Sequence, residues 1–275
     1  MAADFKVAQP IEFYRKFLEQ DVRPDGRELG EIRHTVLNIG SITTADGSAL
    51  IKLGNTSVIC GIKGELTVPK TEEPTKGFIV PNVELSPMCS PKFKPGPPSE
   101  QAQVLSQFVD DIMKSSKCVI PEDLCVVPGK LCWVLYCDLM CLDYDGNIID
   151  ACITALLAAL TTVRLPTAGI DEETGAITTN LQKTLSIPIH SQPVSTTIAT
   201  FDERVLLIDP TDEEETLSTG TLTVVTLADG QLCSIHKPGG TPLKPNQLQH
   251  CISRAVTRGV EVRRLIEETV NSLDR

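Results

Sequence analysis

The amino-acid pattern predicts an α/β chain, of the α+β kind, built from two similar βαβ-type lobes, and three observations carry that prediction. Period-2 apolar segments crowd residues 36–63 and return at 196–236. Helical stripes over Glu100–Met113 and Ile149–Leu160 flank a continuous apolar run at Leu131–Leu142. A long amphipathic segment closes the chain, so the second half partly echoes the first. The length of 275 residues suits one large domain or two modest ones, and 41% hydrophobic residues is too many for a disordered chain.

At the start, Ile11, Tyr14, Phe17 and Leu18 fall on one helical stripe over Ile11–Gln20, and Pro24 and Gly26 end it in a turn. Val36 and Ile39 open a strand pattern. Ala49–Leu53 and Ser57–Lys63 follow, joined by Gly54-Asn55-Thr56 as a hairpin. Residues Thr67–Ser99 are proline-rich and read as a long surface excursion. In the helix Glu100–Met113, Ala102, Leu105, Phe108, Val109 and Ile112 point inward. The run LCWVLYCDLMCL at 131–142 predicts a strand buried on both faces. Asp145-Gly146-Asn147 turns into an Ala/Leu-rich buried helix, and Pro166–Asn180 connects to the second set of strands at Thr196–Thr200, Val205–Ile208, Thr221–Leu227 and Leu232–His236. In the closing helix, Gln247–Leu273, the apolar residues are Ile252, Val256, Val260, Leu265 and Ile266, and Arg254, Arg258, Arg263 and Arg264 are spread along it.

The balance of 25 Lys+Arg against 36 Asp+Glu gives a net charge of −11, which argues against a generic DNA-coating protein but leaves room for a local basic loop that binds RNA. Ten cysteines lie mostly inside apolar runs with no C-x-x-C pair, so buried free thiols in a reducing compartment are expected rather than disulfides or a zinc ribbon. The first 20 residues carry charges throughout and no apolar core of a signal peptide, and no apolar stretch is long enough to cross a bilayer. An intracellular soluble protein is the expectation. The four histidines are scattered, and Asp143–Ile148 is only half of a calcium loop because Cys141 and Cys152 fill its first and closing positions.

Three segments resemble the RNase PH family: Arg23-Pro24-Asp25-Gly26-Arg27-Glu28, Asp46–Thr56, and Asp138-Leu139 through Asp145-Gly146. Order and spacing match from about Arg23 to Arg264. Val127-Pro128-Gly129-Lys130, Asp150-Ala151 and His236–Gly240 bring the chain nearest to the non-catalytic ring subunits of the eukaryotic RNA exosome. The resemblance implies an RNase PH-like fold whose subunits close into a six-membered ring around an RNA channel. It suggests a helical arm at 1–22, a first domain at 23–168, a connection at 169–189 and a second domain at 190–275.

Phosphorolytic members of this family use a Gly-Thr-Arg turn at a helix N-terminus for the attacking phosphate, an aspartate pair for a divalent metal, and arginines on the preceding helix for RNA. In this chain the turn reads Asp145-Gly146-Asn147-Ile148-Ile149-Asp150. Ile148 or Ile149 stands where the arginine belongs, and Asp150 is expected to repel phosphate. The preceding helix offers Asp110 and Asp111. Asp209 is retained from the metal pair, with Glu215 as its partner, inside an acidic run at 212–215 that reads as a solvated loop.

The resemblance thus implies a degenerate site at Asp209, Glu215, Ile148 and Ile149, with no catalytic role, cofactor or metal. It also implies a scaffold that passes single-stranded RNA to associated hydrolytic exoribonucleases for rRNA maturation and mRNA decay, AU-rich transcripts included. Other ring and cap subunits are the expected partners, in nucleus, nucleolus and cytoplasm, with no membrane. A metal-dependent phosphorolytic 3′-to-5′ exoribonuclease using Asp209 and Glu215 is the competing expectation, and a free-standing RNA-binding module is a third. Lys92 and Lys94 flank Phe93 in a Pro/Gly-rich loop that corresponds to the family's basic loop on the RNA path. Lysine contacts to phosphate and stacking of Phe93 on a base are expected there.

Overall fold

A computed structural model describes residues 6–170 and 176–273; parts of the expected N-terminal arm and of the connection, and the last two residues, lie outside these. Helix α1 (Pro10–Leu18) opens with proline at its first turn and is shorter than the predicted Ile11–Gln20. Tyr14 and Leu18 are buried, whereas Ile11, expected on the same stripe, is 47% exposed.

Strands β1 (Thr35–Ile39), β2 (Gly47–Leu53) and β3 (Thr56–Thr67) form an antiparallel meander. The β2–β3 turn holds Gly54 at φ +58°, and a Cβ there would lie 2.4 Å from the Arg33 side chain, so both conformation and space require glycine.

The predicted excursion at Thr67–Ser99 contains a further strand, β4 (Phe78–Leu85), which runs parallel to β6 (Leu131–Asp143). Pro81 hides it from a strand reading, yet β4 is the last strand on its side of the sheet, where a missing N–H is tolerated. The sheet order is β1-β2-β3-β6-β4, with the short β5 (Cys125–Val127) also pairing with β6. Strand β6 is buried on both faces only over Leu131–Leu135; beyond that Tyr136, Asp138 and Met140 are exposed on alternate positions.

Helix α2 (Glu100–Ser116) is capped by the Ser99 hydroxyl and packs on β4. Helix α3 (Ile148–Thr162) is buried almost all round because it lies between β2 and β3 on one side and the second sheet on the other. The expected plain connection carries a two-stranded antiparallel hairpin of β7 (Arg164–Ile170) and β8 (Ile177–Ser186), so the segment assigned to 169–189 includes β8.

The second sheet is fully antiparallel, in the order β10 (Val205–Ile208), β9 (Val194–Phe201), β11 (Gly220–Thr226) and β12 (Leu232–His236). All eight residues of β9 are buried. Ile198 on one face packs with Cys251 and Ala255 of the closing helix α5 (Pro245–Leu273), while Ala199 and Phe201 on the other pack with Tyr14 and Leu18 of α1. The buried stripe of α5 runs through Cys251, Ala255, Gly259, Val262 and Ile266, and Val260, one of the apolar residues of the predicted amphipathic helix, is 59% exposed. Gly259 is needed on that stripe because a Cβ would lie 2.8 Å from the Thr226 hydroxyl. All ten cysteines are free, and eight of them are buried. Among the described residues no helix is long and apolar enough to cross a membrane.

Candidate functional site

Three segments distant in sequence meet at the end of β10: residues 23–33, the turn before α3, and residues 208–215. Asp209 stands at their centre, 1% exposed and in left-handed backbone at φ +53°. Its Oδ1 accepts from Arg33 Nη2 at 2.7 Å and from Asn147 Nδ2 at 2.6 Å. Its Oδ2 accepts from the Arg33 backbone N–H at 2.8 Å, from Arg33 Nε at 2.9 Å and from Arg27 Nη1 at 3.3 Å. Burial alone would raise the Asp209 pKa, but the Arg33 bonds prevail and hold it below the usual carboxylate range. Arg23, fully buried, donates to the Ile208 carbonyl at 2.8 Å, and its Nε lies 3.4 Å from Glu214. Arg33 also donates to the Asp145 carbonyl at 2.7 Å, which ties the turn before α3 to the same cluster.

That turn is closed by close packing. Gly146 has φ +74°, and a Cβ on it would lie 2.5 Å from the backbone of Thr211 and Asp212. The acidic run, expected as a solvated loop, is instead helix α4 (Asp212–Leu217). Its start is a reciprocal cap: Glu214 N–H donates to the Thr211 hydroxyl at 3.4 Å and Thr211 N–H to Glu214 Oε2 at 2.9 Å. The cap brings Glu215 over the turn, where its Oε1 accepts the backbone N–H of Asn147 at 2.8 Å and its Oε2 accepts from the Tyr144 hydroxyl at 3.4 Å. One of the N–H groups at the start of α3 therefore already holds a carboxyl group. Burial, followed by repulsion from Asp212, pushes the Glu215 pKa up to about 7, against the pull of the Asn147 N–H.

Glu215 opens onto a groove of about 460 Å³ lined by Gln101, Tyr144, Ile148, Ile149, Thr197 and His236 among others, and among the described residues no lysine or arginine is in that lining. Three of the four residues expected in the degenerate site thus share one groove, while Asp209 lies beneath it. Asp150 does not face the groove as expected. Its carboxylate turns onto β9, where it accepts from the Thr197 N–H at 2.8 Å and the Thr197 hydroxyl at 3.1 Å. Asp110 and Asp111 of α2 bond to Lys114 and Gln107 within the same helix.

The predicted RNA loop is built differently from the expectation. Phe93 is 8% exposed and packs edge-on against Tyr144, ring centroids 5.3 Å apart, so it is part of the core and its face is not offered to a base. Lys92 pairs with Asp212, and Lys94 alone of the three is exposed with no ion pair among the described residues. Arg33, Asn147 and Tyr144 form the site's real framework. The turn at Asp145–Asn147 announces Asn147, but nothing local marks Arg33 as the partner of a residue 176 positions away.

Comparison with known families decides the grouping. The model of the 3′ exoribonuclease family, domain 1, matches residues 31–166, and that of domain 2 matches 191–258. The chain belongs to the RNase PH family of 3′ exoribonucleases. It is 44% identical over 251 residues to exosome complex component rrp43 of Schizosaccharomyces pombe, covering 91% of this chain and 93% of that protein. To exosome complex component Rrp42 of Thermococcus onnurineus it is 38% identical over 255 residues, covering 93% of each. Its fold superposes on a chain of the Archaeoglobus fulgidus exosome with RNA bound to the active site at a TM-score of 0.83, with 31% identity and coverage of 92% of this chain and 96% of that one. The family's divalent metal does not fit the residues present. Both Asp209 oxygens are bonded to arginines and Asn147, which leaves Glu215 as the one member of the pair that faces the groove, and no three His, Cys, Asp or Glu side chains gather into a metal-holding group among the described residues.

Proposed function

We propose that the chain is a non-catalytic ring subunit of the RNA exosome, the counterpart of exosome complex component eight in the eukaryotic core. The names and folds of its relatives support the exosome assignment. The observation that carries the non-catalytic reading is the Glu215 carboxylate on the Asn147 N–H, in a groove without a lysine or arginine. Phosphorolysis needs an incoming phosphate at that N–H and cations on the reacting phosphates; one preorganised donor of this kind is worth about 3 kcal/mol of transition-state stabilisation. An internal carboxyl group already occupies that N–H, and Ile149 in the same wall adds no charge. The competing enzyme reading has Asp209 and Glu215 in its favour, but Asp209 is committed to Arg33 and Arg27.

In this role the chain completes a closed hetero-oligomeric ring, helps line the channel for single-stranded RNA, and serves hydrolytic exoribonucleases in RNA processing and decay. Nucleus, nucleolus and cytoplasm are the compartments this implies. Native mass measurement of the chain with and without the other ring subunits tests the assignment. One copy per hetero-oligomeric ring is expected; a stable homo-ring, or no incorporation, would contradict it.

A further inference from the structure

Of the cations that the sequence placed at Lys92 and Lys94, the first is taken up by Asp212, but a second cationic surface lies elsewhere on this acidic chain. A groove of about 370 Å³ is lined by Arg204 from the β9–β10 turn and by His250 and Arg254 from α5, over an apolar floor that includes Leu29, Ile198 and Cys251. Asp21 also lines it and is the one carboxylate in the lining among the described residues. Arg204, His250 and Arg254 are exposed, and no side-chain hydrogen bond or ion pair ties them down among the described residues, whereas the neighbouring Arg15, Arg23, Arg27, Arg33 and Arg258 all have carboxylate partners. On the outer side of Arg204, the Asp202 carboxylate is taken by Arg15.

Two local features shape the groove. Asp202 and Glu203, which lead into Arg204, and Asp21 at the rim all hold left-handed backbone at φ 47°, 60° and 56°; these are three of the six non-glycine residues with positive φ among the described residues. Asp202 and Glu203 are the central residues of the β9–β10 turn, closed by the Arg204 N–H on the Phe201 carbonyl, and Asp21 closes the end of α1 with its N–H on the Leu18 carbonyl, so these turns fix where Arg204 and Asp21 stand at the groove. On the opposite wall Gly30 leaves room for Arg254, since a Cβ there would sit 3.3 Å from Arg254 Nη2. Two guanidinium forks from separate elements and an imidazole line one concave apolar floor, and each fork can bond two oxygens of a tetrahedral phosphate.

We propose that Arg204, His250 and Arg254 form a phosphate-binding groove, distinct from the degenerate site at Glu215. Its ligand is a phosphate group, carried either by single-stranded RNA or by a free nucleotide or pyrophosphate. Titration calorimetry on the full chain, with pyrophosphate and separately with an oligouridylate, tests it. In the wild type, both ligands bind and compete. The double variant Arg204→Gln/Arg254→Gln is expected to lose at least tenfold in affinity, with the slope of log affinity against log salt for the oligouridylate less steep by about 1.4. Lys94→Gln is expected to leave pyrophosphate binding unchanged. Because both arginines are exposed, an unchanged thermal melt verifies the fold, and Gly30→Ala, which crowds Arg254 without removing charge, should give a smaller loss in the same direction. Arginine-dependent binding of pyrophosphate without oligouridylate would assign the groove to free phosphate compounds. Affinity unchanged in the double variant, no binding of either ligand, or arginine-dependent binding of an acidic peptide alone would overturn the proposal.

Discussion

Asp209 and Glu215 occupy adjoining but opposite surroundings. Beneath the groove, every oxygen of Asp209 has an arginine or asparagine donor, and the charge serves to hold segments 23–33, 145–147 and 208–210 together. At the groove wall, Glu215 has one backbone N–H and one long hydrogen bond from a hydroxyl, and its charge is opposed by burial and by Asp212. The first carboxylate is architecture; the second covers a backbone N–H at the start of α3. Retention of an acidic residue in a sequence therefore says little about catalysis until its partners are counted.

The largest expected effect breaks the first half of this comparison. Arg33→Met leaves Asp209 a buried charge with a weakened partner set and should destabilise the fold by about 3–5 kcal/mol in a denaturant melt. A loss below about 1 kcal/mol would mean that Asp209 is not held as described. Gly146→Ala forces a Cβ into the Thr211–Asp212 backbone at a left-handed φ. It should cost roughly 2–3 kcal/mol in the same melt and pull the Asn147 N–H away from the Glu215 carboxylate.

The two carboxylates also differ in sign with pH. Asp209 is depressed in the folded state, so its contribution is present above the unfolded carboxylate pKa and is lost as pH falls through the lower folded value. Glu215 is raised to about 7, so the folded state favours its proton and stability falls as pH rises from the unfolded value toward 7. Glu215→Gln, which keeps an acceptor for the Asn147 N–H, should accordingly be more stable than wild type by about 1–3 kcal/mol at pH 8 and nearly equal to it at pH 4.5. Equal melting of the two proteins at pH 8 would remove the electrostatic contrast. The smallest effect belongs to the surface: Lys92→Ala breaks an exposed pair with Asp212 and should change stability by less than about 1 kcal/mol.

How much of this is legible in the sequence depends on range. The hairpin at Gly54-Asn55, helices α2 and α3, and the strands of the second sheet announce themselves because apolar period and turn residues are local. Strand β4 escapes because Pro81 interrupts it and its parallel partner β6 begins at Leu131, with α2 between them. The β7–β8 hairpin escapes because Pro166 and a threonine-rich β8 read as a linker. At the site, Ile148, Ile149 and Glu215 are readable from the family pattern and do converge. Phe93 misleads because its burial depends on Tyr144, far along the chain, and an aromatic between two lysines looks exposed when only its neighbours are considered. Arg204 and Arg254, which have no ion pair among the described residues, carry no motif and emerge only once the fold brings the β9–β10 turn beside α5.

The central claim, that Glu215 and the absence of cations leave this site without phosphorolysis, is tested most directly by nucleoside diphosphate release. Rings reconstituted with this chain as the only family member under test, with the hydrolytic exoribonucleases left out, would be incubated with RNA in phosphate buffer and the products separated by ion-exchange chromatography. No phosphate-dependent nucleoside diphosphate above the level of a ring carrying Glu215→Ala is the predicted result. Phosphate-dependent release that Glu215→Ala or Asp209→Asn abolishes, in a ring that stays assembled, would contradict it.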